Sequence, residues 1–228
     1  MSGMSTCVWS LRGMWILSIA WGLAGCGGGL KYKLDDGTLD TVPASDRQAV
    51  FTAQNDVEVA RSEERNADKQ LELFEHDRDI AKKEKEQAEL EVEKAVAEGE
   101  AAVQARDENR SNSARHAKEV AEVGVKAAEL KLDWLNQKRD WLKAIRKAAA
   151  AHRMAAEAKV ELEKAKLAEQ KKIKPDGDFS VGNYESQWKK SNQDWEDAKS
   201  YAAPQESKAK DREKKYQDLV AQQGKMKA

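Results

Sequence analysis

Proline is scarce: three residues among 228 leave long stretches with nothing to stop a helix. Cysteine is scarcer still. Cys7 and Cys26 both lie near the N-terminus, so the body of the chain has no thiols for a disulfide framework or a thiolate metal site. Aromatic residues are only 6% against 36% charged, which argues against an ordinary thick globular core. Charge of one sign is also missing. The 40 Lys plus Arg and 41 Asp plus Glu are mixed finely along the chain, without a basic tract that would hold phosphates, so nucleic acid is not an expected partner. The one apolar run, Met14 to Leu23, is roughly half of the about 20 residues that span a bilayer. What is present in quantity is Ala, Glu and Lys, a composition of long helices and coiled coils, and the expected fold class is all-α.

Residues 1–25 differ from everything after them. Arg12 precedes the apolar run, and the run ends in Leu23-Ala24-Gly25-Cys26. That order of charge, short apolar segment and small residues has the pattern of an export signal rather than a permanent membrane helix. At all four positions the last four residues resemble the lipobox of bacterial lipoproteins. The resemblance covers the first 26 residues only. It implies recognition of Leu23, Ala24 and Gly25 by the signal peptidase, diacylglyceryl transfer to the Cys26 thiol, cleavage before it and acylation of the new amine. No cofactor is expected beyond those covalent acyl chains, palmitate among them. Anchoring by several chains, at about 0.8 kcal/mol per buried methylene, is effectively permanent. Gly27 stands where an Asp retains family members on the inner membrane, so the resemblance implies the periplasmic face of the outer membrane.

Gly27-Gly28-Gly29 and the weakly alternating residues 30–44, centred on Asp36-Gly37, are expected to form a flexible tether rather than a marginal hairpin. Ser45 with Gln48 has capping-box spacing and marks a helix start. From Val50 a row of Ala53, Ala60, Ala67, Phe74, Ala81, Ala88, Ala95 and Ala102 recurs every seven residues. Polar residues 107–113 interrupt it. Apolar positions resume with Val120, Val123, Ala127, Leu130, Trp134 and Trp141 and run to Ala165, and a second row passes through Leu135, Leu142, Ala149 and Ala156. One helix with two rows should touch two neighbours.

Two arrangements fit: an antiparallel hairpin of residues 45–174 with its apex near Arg110, or a single continuous helix in an oligomeric coiled coil. The hairpin is preferred because the arms match in length. The continuous helix draws support from the common phase of Val50 and Val120 and from the lack of Gly or Pro at the break. In the hairpin Trp134 would lie by Lys85 and Trp141 by Arg78, the indoles covering the cationic stems. Pro175-Asp176-Gly177 should turn the chain over residues 175–183, and two further helices, 184–202 and 205–223, should fold back so that Trp195 approaches Leu162 and Leu219 or Val220 approaches Trp134 to Trp141.

Trp134, Trp141, Trp188 and Trp195 are the conspicuous aromatics, in two pairs spaced by seven. They serve either as core anchors, the preferred reading, or as a partner-binding surface. His76, His116 and His152 have no ligand partners at metal-binding spacing, and no nucleophile elbow, phosphate loop or catalytic carboxylate pair occurs, so neither a metal site nor an enzyme is expected. Lys225 and Lys227 invite comparison with the small murein-linked lipoprotein, but that protein ends in its linked lysine and this chain ends in Ala228. The expected role is a lipid-anchored periplasmic spacer or scaffold, with an accessory or adaptor subunit of an envelope transport, secretion or motility complex as the alternative. The expected partners are the lipid bilayer and a protein met through the coiled coil, with peptidoglycan and a second copy of the chain left open.

Overall fold

The computed structural model describes residues 29–175 and 179–227. Three long helices dominate it: α1 (Gln48–Gln104), α2 (Glu108–Gln170) and α3 (Val181–Lys227), with two short 3-10 turns, Asp36–Leu39 and Ala44–Arg47, ahead of them. Among the described residues there is no strand, and no helix is long and apolar enough to cross a membrane. The fold is all-α and contains the hairpin, not the continuous helix.

The seven-residue row of α1 is the reason it pairs. Ala53, Ala60, Ala67, Phe74, Ala81, Ala95 and Ala102 are buried, with Val50 and Val57, and only Ala88 of the row is partly exposed. Small side chains at nearly every layer let the backbones approach closely. At about 1.5 Å per residue α1 is about 86 Å long.

The hairpin turns at Ala105–Asp107, four residues before the expected apex. Arg106 adopts φ 54°, the Asp107 N–H reaches the Ala102 carbonyl at 3.0 Å, and the Asp107 side chain accepts from the Arg110 N–H at 3.0 Å to cap α2. The first bond closes α1 as a Schellman motif, built on a left-handed arginine in place of the usual glycine. α2 ends in the same way: Lys172 has φ 56° and the Ile173 N–H bonds the Ala168 carbonyl at 2.9 Å, four residues before the expected stop at Lys174.

The earlier apex shifts the register by about one turn. Arg78 bonds Asn136, and Lys85 pairs with Glu89 and Glu129, so neither lies under the expected indole. The cation over Trp134 is instead Lys138, which also sits over Phe74.

α2 does carry two apolar faces, with α1 packed on one and α3 on the other, while α1 and α3 make no comparable contact with each other. The molecule is therefore an open layer with α2 in the middle, not a closed three-helix bundle. Leu135, Leu142 and Ala156 face α1, whereas Leu162 and Ala165 meet α3 through Tyr184.

The expected pair of C-terminal helices is one. α3 runs through Pro204, which lies on the exposed side, where the Ser200 carbonyl that loses its donor can be met by water. Tyr184, Ala198, Ala202 and Ala209 are buried along one face of it. Its far end reaches Gly124, whose missing Cβ leaves room for Gln223. The last 16 or so residues of the hairpin, about 24 Å, extend past α3 as two helices alone.

Candidate functional site: the clasp at the base of the hairpin

The expected tether is not free where it is described. Residues 30–47 fold across the end of the hairpin opposite its tip, and Leu34, Leu39 and Val42 are buried. Leu39 and Val42 join Val50, Val57, Val160 and Leu167 in one cluster, with Ile173 and Phe179 against it. Leu34 joins Leu162, Ala165 and Tyr184 in a second. The expected capping box does not form: the Ser45 hydroxyl donates to Asp46 at 3.4 Å, residues 44–47 tighten into a 3-10 turn, and α1 starts at Gln48 without a side-chain cap.

Polar bonds hold the segment in register. The Leu34 N–H donates to Glu161 Oε2 at 2.7 Å, and Lys164 donates to Glu161 Oε1 at 3.1 Å. Glu161 and Lys164 are the two charged residues buried among those described, 8% and 7% exposed. Their burial is tolerable because each oxygen of Glu161 has a donor. Gln187 of α3 pairs with the Tyr32 backbone in both directions, accepting at 2.8 Å and donating at 2.9 Å. The Tyr32 and Tyr184 rings tilt together at 5.8 Å. Burial, with the Glu161 carboxylate nearby, pushes the Tyr184 hydroxyl above its ordinary range. Asp46 bonds Lys171 across the open end, and this bond and charge hold the Asp46 carboxyl below the usual carboxylate range. One segment of backbone is thus bonded to α2 and α3 together and packed on α1.

The tryptophans do not converge on one surface. Trp134 stacks on Tyr216 at 5.8 Å, and Trp195 stacks on His152 at 4.2 Å. Trp195 is ten residues along α2 from its expected neighbour Leu162, and Tyr216, rather than Leu219 or Val220, meets Trp134. Trp188 lies beside the Leu34 cluster under Lys159. Trp141 packs with Phe74, Ala81 and Leu142, its indole Nε1 buried without a partner. All four are half-buried along the seams of α2.

His152 Nδ1 lies 2.7 Å from Glu63, which links all three helices at that level. His76 and His116 are exposed, and no group of metal-ligating side chains occurs among the described residues. Leu23, Ala24, Gly25 and Cys26 lie outside the described residues, as do Asp176, Gly177 and Ala228. No family model, curated protein or solved structure matches this chain.

The sequence reading missed Tyr32, Leu34, Glu161 and Gln187. The signal was there in part: Tyr32, Leu34, Leu39 and Val42 place four large apolar side chains within eleven residues, which a flexible linker has no reason to carry.

Proposed function

We propose that this chain is a lipid-anchored envelope protein whose helical hairpin stands as a spacer or scaffold in the periplasm, fixed to the outer membrane through acylated Cys26. The observation that carries the reading is the distance in sequence between anchor and clasp. Cys26 precedes Gly29 by three residues, about 10 Å of fully extended chain, and the clasp follows at once. An acylated Cys26 therefore holds the base of the hairpin close to the headgroups and leaves the tip at the opposite end of a rod of about 86 Å.

A slack linker would let the body tumble; bonds from Tyr32 and Leu34 into α2 and α3 pass tension from the lipid into the rod. The second reading, an accessory subunit of an envelope transport, secretion or motility complex, is favoured by the tip. There two helices project past α3 with Val103 66% exposed.

Detergent-phase partitioning of the exported chain and of Cys26→Ser tests the anchor. The wild type is expected in the detergent phase and the serine variant in the aqueous phase. A serine variant that still partitions into detergent overturns the proposal. Crosslinking in cells separates the two readings, since an adaptor gives one stoichiometric membrane complex and a spacer does not.

A further inference from the structure

α1 has a second apolar line, on the side opposite the one that packs on α2. Val59, Leu73, Ile80 and Leu90 are 56%, 71%, 45% and 61% exposed, and they fall on one side of the helix 14, 7 and 10 residues apart, with Ser62, Asn66, His76 and Gln87 among the positions between them. Because α3 packs on α2 and makes no comparable contact with α1, the described residues leave this seam uncovered except at Val59, which borders a groove with Trp188 and Trp195 of α3.

Acidic side chains flank it on both sides. α1 carries twice as many acidic as basic residues, and one row beside the seam contains Asp77, Glu84 and Glu91, the other Glu72, Glu86 and Glu93. Glu84 is bound to Lys131 of α2, whereas Glu72, Asp77, Glu86, Glu91 and Glu93 have no ionic partner among the described residues. An apolar seam between charged rails is the pattern by which coiled-coil helices choose partners.

We infer that the outer face of α1, from Val59 to Glu93, docks a helix of another protein whose apolar seam is flanked by Lys or Arg. The rails decide among occupants. A second α1 sets acid against acid whether the two run parallel or antiparallel, and an anionic lipid surface is repelled by the same charge. Lys69, Lys83 and Lys94 lie within the seam itself, where they restrict the register of an incoming helix and keep the face soluble while empty. The inference does not depend on acylation of Cys26, so the Cys26→Ser chain retains the surface.

The test uses the full chain and two synthetic helical peptides of about four heptads, identical in their Leu and Ile seam but flanked by Lys in one and by Glu in the other. Fluorescence anisotropy is expected to show binding of the Lys-flanked peptide only. Affinity should fall with salt and by at least about tenfold in Leu73→Ser/Ile80→Ser. Both replaced side chains are exposed, and circular dichroism checks that the variant remains folded. Equal binding of the two peptides, binding of neither, or undiminished binding by the double variant overturns the inference. So does a dimer of the chain in sedimentation that the double variant abolishes, which would assign the seam to a second copy.

Discussion

The two ends of the hairpin are made of the same helices and held by different means. At the base Leu34, Leu39, Val42, Leu162, Leu167 and Tyr184 fill two clusters among three helices and a folded N-terminal segment. At the tip the buried residues are Ala95, Ala102, Ala114 and Ala121, in a pair of helices with nothing behind them. A fully buried large apolar side chain contributes about 1.5 to 3 kcal/mol, and alanine, with one methyl, far less. Alanine is nonetheless the best helix former. The tip is a region where each helix is locally favoured and the pairing is weak; the base is where the pairing is secured.

The largest effect that would sharpen this contrast lies in a matched pair of core changes. Leu162→Ala, at a side chain 1% exposed in the base, should cost about 2 to 5 kcal/mol, whereas Ala102→Gly at the tip should cost about 1. Thermal unfolding compares them, and equal costs would erase the distinction between the ends.

Next in size is a change in the clasp. Glu161→Ala removes the acceptor of the buried Leu34 N–H, and is expected to cost about 1 to 3 kcal/mol in urea denaturation. A loss under about 1 kcal/mol would show that the N-terminal segment is held by its apolar residues alone.

Smaller and opposite in sign is Arg106→Gly. A non-glycine residue in the left-handed region costs about 1 to 2 kcal/mol, of which glycine returns part through its freer unfolded chain, so a net gain of about 0.5 to 1 is expected. Lys172→Gly at the base should gain as much.

The smallest effect is with pH. Each end has an exposed ion pair that lowers a carboxyl: Asp46 through its hydrogen bond and charge contact with Lys171, Glu98 through its hydrogen bond with Arg110. A lowered folded-state value means that the stabilisation is present above the ordinary unfolded value of about 4 and disappears as pH falls through the lower folded one. Denaturation at descending pH should show the loss in the wild type and less of it in Asp46→Asn and Glu98→Gln. Destabilisation on raising the pH out of that range would have the wrong sign.

Much of the fold was legible because it is periodic. The alanine row of α1 marked its buried face, and the two rows of α2 announced two neighbours. The turns were not legible, because both helices end on left-handed basic residues, Arg106 and Lys172, where sequence patterns look for glycine. That displaced the apex by four residues, and with it the pairings of α1 with α2. Which row of α2 meets which neighbour depends on tertiary packing that periodicity does not contain. α3 was divided because a proline inside a helix is costly, and Pro204 escapes much of that cost by facing solvent. The clasp depends on contacts more than a hundred residues apart, such as Leu34 with Glu161, and local pattern is silent about these.

A standing rod and one lying flat differ most in where the two ends sit relative to the bilayer. The acylated chain, reconstituted in lipid nanodiscs, can carry one fluorophore at Ala44 near the base or at Arg106 at the tip, with quencher-labelled headgroups reporting proximity. The Ala44 label should be strongly quenched, and the Arg106 label, a hairpin length of about 86 Å away, should be untouched. Equal quenching at both positions would mean that the helices lie along the membrane and would contradict a standing rod.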